Sequence, residues 1–363
     1  MQEIRKRPVE QPLIRMIGHG VNYVDYHNMC RRLEEGEDYP LVCEEIGDES
    51  QNYAERNLEK GHNQTASIFF LNASAMYRVG EYGLLAITDE KLRLYTKLLY
   101  CFDKGIRLSN KFKSERIELP YKDTKLNGWL LLPNGAPKDV PVVLIIPGWT
   151  GFKEEMYSAY ATHLIERGTA VCLIDGPGQG ESLYFDHCFQ EIEMERAYRV
   201  VLEFLKCHTE LGEIGILGSS FGGYLCLRTA AYSADLITAC VSKGGSSYPL
   251  EITTSVPYYM DKILVRWGKD TSEAEYMRTE VLPHMNLKGL GKKVTCPILF
   301  IHNEEDRLFD VNGIKQFYDE VSSKDKSLVV YPGKVHNAIE QDTEARCLLI
   351  DWFQEKLSNG GKL

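Results

Sequence analysis

Ile214-Gly215-Ile216-Leu217-Gly218-Ser219-Ser220-Phe221-Gly222-Gly223 decides how this chain is read. It starts as a buried strand, turns on glycine and serine, and opens into the helical pattern of residues 221–233. In the pattern G-x-S-x-G between strand and helix, the central serine sits at the tip of a sharp, strained turn. Small residues two before and two after it let neighbouring chains approach. The start of the following helix turns backbone N–H groups toward the same point. Ser220 is therefore the candidate nucleophile. A serine hydroxyl is a weak nucleophile at neutral pH and needs a base within hydrogen-bonding distance. A Gly/Ser-rich turn without chemistry is the plainer alternative, and only partners elsewhere in the chain argue against it.

Those partners follow in order. The strand Ile298–Ile301 runs into His302-Asn303-Glu304-Glu305-Asp306-Arg307-Leu308-Phe309, where an acid is expected beside the nucleophile's strand. Asp306 is the first choice, with Glu305 and Asp310 behind it. The strand Leu328–Tyr331 leads into Pro332-Gly333-Lys334-Val335-His336-Asn337, and His336 stands where a loop imidazole reaches a serine. Ser, acid, His is the chain order in which this constellation occurs on a parallel sheet. His302, at a strand end, reads as structural. Two oxyanion donors are expected: the backbone N–H of Phe221, and that of Trp149 in the loop Pro147-Gly148-Trp149-Thr150-Gly151-Phe152-Lys153.

The surrounding pattern alternates strand and helix. Apolar runs at 142–146, 169–174, 214–217, 237–241, 298–301 and 328–331 are separated by helical spacing at 186–208, 221–233, 310–323 and 342–357. This alternation predicts a parallel sheet covered on both faces. Residues 116–119 and 126–133 read as a hairpin turning at Lys122-Asp123, and 250–290 as a small helical excursion. Before residue 114 the period is helical, with helices expected near 14–30, 50–80 and 89–108. The domains are thus 1–113, all helical, and 114–363, an α/β sheet domain.

Composition excludes some classes. The chain has 363 residues, 44% hydrophobic and 26% charged, as in an ordinary globular protein. Lys+Arg is 42 and Asp+Glu 52, a net charge of −10, which argues against nucleic acid or an anionic membrane as partner. The ten cysteines are scattered with no CxxC pair, as small core residues of a reducing compartment would be. No apolar run resembles a secretory signal or a membrane span, so a cytoplasmic location is expected. Asp175-Gly176-Pro177-Gly178-Gln179-Gly180-Glu181-Ser182 is no dinucleotide fingerprint, because Glu181 stands where the third glycine belongs. It reads as a tight turn at the site's rim. Histidines and cysteines are never paired at metal-ligand spacing, and no cofactor is expected.

With these residues in hand, residues 114–363 resemble the α/β-hydrolase superfamily. The whole chain resembles the group of the dihydroxypseudooxynicotine C–C hydrolase, the fungal polyketide-shortening hydrolases and the fermentation–respiration switch esterases. The likeness rests on Ile117-Glu118-Leu119-Pro120 through Gly128-Trp129-Leu130, on Gly151-Phe152-Lys153-Glu154-Glu155, and above all on Asp175 to Glu181. It departs at Pro147-Gly148-Trp149, where Gly-Gly-aliphatic is usual. The resemblance implies a helical N-terminal cap that packs over the active site, a serine hydrolase core, and often a homodimer. The substrate it implies is a small carbonyl metabolite, cleaved at an ester-like bond or at a C–C bond beside a ketone. C–C cleavage ranks first. A carboxylesterase, lactonase or acyltransferase with the same triad is the alternative, and a non-catalytic binding regulator is the alternative of another class. An acid near the ketone would suit C–C cleavage, and Glu251 is the candidate.

Overall fold

The computed structural model describes residues 4–8, 11–256 and 258–358. It divides into two compact units, Met1–Ser114 with Tyr157–Ala159, and Glu115–Met156 with Tyr160–Leu363.

Among the described residues, the first unit holds helices at Leu13–Gly18, Tyr23–Glu34, Tyr39–Glu59, Asn63–Tyr82 and Asp89–Arg107. Asn22, Asp38 and Thr88 cap the second, third and fifth, each accepting a backbone N–H at the helix start. The core is built from Met16, Met29, Val42, Ile46, Met76 and Val79. The single helix expected at 50–80 is two helices. Lys60-Gly61-His62 interrupts it, and Gly61 takes a φ of 75° that an interior helical residue does not adopt.

In the second unit, strands β1 (Phe112–Tyr121, its first residues in the first unit), β2 (Thr124–Pro133), β3 (Val140–Ile146), β4 (Ala170–Asp175), β5 (Leu211–Ser219), β6 (Ala239–Lys243), β7 (Ile298–Asn303) and β8 (Lys326–Tyr331) form one sheet. Their spatial order is β1-β2-β4-β3-β5-β6-β7-β8. From β4 to β8 every neighbouring pair is parallel, and β2 joins β4 antiparallel. Both faces are covered. On β5, a Cβ at Gly215 would meet Phe353 and Leu357 of the C-terminal helix Asp342–Leu357. Three residues further along, a Cβ at Gly218 would meet Cys226 of the helix Phe221–Tyr232, on the opposite side.

The helix expected at 186–208 begins at Glu195, and a short helix at Gly180–Tyr184 precedes it. The excursion between β6 and β7 consists of short helical turns, the longest being Tyr259–Arg266. The acid's strand, β7, is not beside β5 as expected, because β6 lies between them. No described helix is long and apolar enough to cross a membrane.

Candidate active site

The loops at the carboxyl ends of the parallel strands gather the expected residues. Ser220 follows β5 with φ 59° and ψ −123°, a conformation outside the range ordinary side chains prefer. The turn is held by close packing. A Cβ at Gly218 would lie 1.9 Å from the Gly222 carbonyl oxygen, and one at Gly222 would lie 2.2 Å from the Ile146 oxygen. The Ser220 N–H donates to the Lys243 carbonyl at 2.8 Å, tying the elbow to β6.

His336 Nε2 lies 2.7 Å from Ser220 Oγ, and its Nδ1 lies 2.7 Å from Asp306 Oδ2. The other oxygen of Asp306 accepts the N–H groups of Leu308 at 2.8 Å and Phe309 at 3.2 Å. Burial alone would raise the pKa of this carboxyl. The charge and hydrogen bond of His336, with help from His302 and the Leu308 N–H, prevail and lower it to about 2. Asp306 is thus an ionised acceptor, and of the three acids considered it is the one brought to His336. Glu305 is exposed and pairs with Lys334 at 3.1 Å, while Asp310 caps the helix Val311–Glu320. His302 is buried between the carbonyls of Asn303 and Gly245.

Asn337 was not singled out by sequence. Its Nδ2 donates to Ser219 Oγ at 2.9 Å, and its N–H reaches Asp306 Oδ2 at 3.4 Å. Asn337 and Ala338 both have positive φ, 69° and 48°. The loop after β8 therefore doubles back directly behind the imidazole. The only sequence signal was an Asn, a residue that tolerates this conformation, next to the histidine.

Both expected oxyanion amides lie beside Ser220 in the chain or in space. Phe221 is the next residue. Gly148 passes so close that a Cβ there would be 3.2 Å from Ser220 Cβ. The Trp149 ring stacks on Phe221 with centroids 4.1 Å apart. Among the described residues, neither amide donates to a backbone carbonyl.

The run Asp175 to Ser182 is not a rim but a buried support. Lys153, 0% exposed, reaches Asp175 and Glu154 at 2.8 Å and Glu181 at 2.9 Å. Arg116 closes the network on Glu181 at 2.5 Å. Gln179 bonds the carbonyls of Pro147 and Gly148 in the loop carrying Trp149. Glu251 sits in a 3-10 turn after β6, where Ser246 Oγ donates to its carboxylate at 2.5 Å. Burial raises its pKa, and the charges of Asp310 and Asp306 add to this.

The model of the FrsA-like esterase family matches residues 45–358. The chain is 33% identical over 257 residues to 20-hydroxy-prefusarin hydrolase FUS2 of Gibberella moniliformis, covering 66% of this chain and 60% of that one. To the hydrolyase poxO of Penicillium oxalicum it is 29% identical over 214 residues, 54% of this chain, and it spans about half, 49%, of that relative's length. To 2,6-dihydropseudooxynicotine hydrolase of Paenarthrobacter nicotinovorans it is 25% identical over 357 residues, 96% of this chain and 92% of the relative. A crystal structure of 2,6-dihydroxy-pseudo-oxynicotine hydrolase shares the fold, with a TM-score of 0.87 over 97% of each chain at 23% identity. The chain belongs to the FrsA-like esterase family.

Proposed function

We propose that this chain is a serine hydrolase of a small carbonyl metabolite, with Ser220 as nucleophile, His336 as base and Asp306 as the acid that orients it. The observation that carries this reading is the position of the imidazole, 2.7 Å from the serine on one side and 2.7 Å from a buried carboxylate on the other. Asp306 holds the tautomer with Nδ1–H, which leaves Nε2 free to take the Ser220 proton. The oxygen attacks the substrate carbonyl carbon, and the negative charge moves to the carbonyl oxygen. The N–H groups of Phe221 and Trp149 are assigned to that oxygen.

The bond to be broken is proposed to be C–C, next to the ketone. When the tetrahedral adduct collapses, the electron pair leaves with carbon. The substrate must stabilise that carbanion, as a β-diketone or an acylated phenol does, and protonated His336 returns the proton. Water, deprotonated by His336, then releases the acyl group from Ser220 as a carboxylic acid. The pseudooxynicotine and prefusarin hydrolase relatives support this ranking. Glu251 belongs to the reading as a substrate-binding acid. Burial raises its pKa, and the Ser246 hydroxyl bonded to it acts the other way. Ester hydrolysis by the same triad is the second reading, favoured by the description of the family as esterases. A homodimer is the proposed assembly, to be checked by sedimentation.

The test has two arms. A fluorophosphonate probe should label the wild type and leave Ser220→Ala unlabelled, and labelling of the variant would remove Ser220 as nucleophile. Aromatic β-diketones should then be cleaved to an acid and a ketone identified by mass. Turnover of p-nitrophenyl esters without any diketone cleavage would move the esterase reading to first place.

A further inference from the structure

The turn after β4 contains a side chain whose bonding suggests a part in the chemistry. Gln179 is 1% exposed, and each end of its amide is engaged. Nε2 donates to the Pro147 carbonyl at 3.0 Å and the Gly148 carbonyl at 3.2 Å. Oε1 accepts the Gly176 N–H at 3.0 Å and the Tyr198 hydroxyl at 3.3 Å. The orientation of the amide follows from these partners. Reversed, it would set an oxygen against two carbonyl oxygens and an NH₂ against an N–H.

The carbonyl of Gly148 and the N–H of Trp149 belong to one planar trans peptide and point in opposite directions. Fixing the first fixes the aim of the second. Gly148 O is held twice, by Gln179 and by the Gly151 N–H at 3.2 Å. The next carbonyl, of Trp149, accepts from Arg266 Nε at 2.7 Å. Three successive carbonyls are thus tied to side-chain donors just where the loop passes Ser220. Two carbonyls on one side chain require two N–H donors on one atom with an acceptor behind it. Glutamine meets that requirement and glutamate does not.

We propose that Gln179 is a positioning residue. It sets the plane of the Gly148–Trp149 peptide so that the Trp149 N–H meets the oxyanion formed on attack by Ser220. This rests on the serine-hydrolase reading above. Removal of one oxyanion donor lowers the chemical step by about 10²–10³-fold, and a misaimed donor should lose about 10–100-fold.

The experiment follows fluorophosphonate labelling of the full chain. A phosphonyl oxygen lies where the oxyanion would, so the labelling step reads the donor directly. Wild type, Ser220→Ala, Gln179→Leu and Gln179→Glu are compared for the reversible affinity of the probe, the rate constant of labelling, and melting temperature. The expected result is a rate constant down about 10–100-fold in both Gln179 variants with probe affinity within about twofold. Should Gln179→Leu fail to fold, the near-isosteric Gln179→Glu carries the comparison. If Ser220→Ala still labels, the serine-hydrolase reading falls and this proposal with it. If Ser220→Ala is silent while a folded Gln179 variant labels at the wild-type rate, only the positioning role is overturned. A parallel loss of affinity and rate would mark Gln179 as a structural staple and overturn it too.

Discussion

The imidazole of His336 meets Asp306 at 2.7 Å across thirty residues of chain, and the carboxylate it meets has no exposed surface. The pKa of Asp306 is lowered from 3.8 to about 2. A group whose folded pKa is depressed adds stability above its unfolded pKa and loses it as pH falls through the folded one. The gain is about 2 kcal/mol at neutral pH, and roughly half of it is gone at pH 3. Urea unfolding of wild type and Asp306→Asn should therefore converge as pH drops from 7 to 3. A constant difference would place the carboxyl at an ordinary pKa. Asp306→Asn should also lower kcat by about 10³–10⁴-fold, as loss of the tautomer-holding acid does elsewhere.

Asn337 joins two demands, a left-handed backbone and a bond to Ser219. Asn337→Ala and Asn337→Gly both lose the side-chain bond, but only alanine adds strain at φ 69°. Alanine should be the less stable variant by about 1 kcal/mol, and both should lower kcat more than they raise KM. Paired thermal melts and steady-state kinetics check this, and a more stable alanine variant would contradict it.

Gly222 has no room for a methyl group, since the Ile146 carbonyl oxygen is 2.2 Å from where it would be. Gly222→Ala should destabilise by roughly 3 kcal/mol or more. Gly135→Ala is the control. Unlike Gly222, Gly135 has a positive φ of 74°, but its Cβ meets nothing within 4 Å, so it should show only the backbone penalty of about 1–2 kcal/mol. Equal losses in denaturant unfolding would show that the elbow yields to accommodate the methyl group.

Glu154 is buried, and burial pushes its pKa up to about 7. Lys153, 2.8 Å away, pulls the other way, but Asp175 and Glu181 compete for the same ammonium. A carboxyl whose folded pKa is raised favours folding below its unfolded pKa of about 4.5 and loses that advantage as pH rises through 7. Glu154→Gln should therefore raise the melting temperature at pH 8 by several degrees and change it little at pH 5. The same gain at both pH values would mean that the carboxyl titrates normally.

Local pattern made the centre of the site legible and left its supports hidden. The strand, turn and helix around Ser220 are adjacent in sequence, so their chemistry could be read directly. Asp306 and His336 could be picked out because each follows a strand, and the structure brings them within hydrogen-bonding distance of each other. Strand order depends on crossovers rather than composition, so the place of β6 between β5 and β7 could not be read from the strands themselves. In the helical unit, the acids of Tyr39–Glu59 masked its helix. Glu44 is buried yet polar because Lys97 pairs with it at 2.8 Å. Buried ion pairs deceive in the same way. Asp175 and Glu181 read as part of a tight turn at the site's rim because nothing in the sequence reveals that Lys153, more than twenty residues earlier, folds beneath them.

That arrangement limits how such a chain can diverge. Exchange of Lys153 alone for a neutral residue takes from the buried acids Glu154, Asp175 and Glu181 the ammonium they share. Loss of the acids alone strands a buried ammonium. Neither intermediate is a comfortable ancestor, so the two runs should pass through descent as a single inherited block. A shuffled hybrid that joins one parent's 153–154 to a mismatched 175–181 should emerge from a recombination library misfolded.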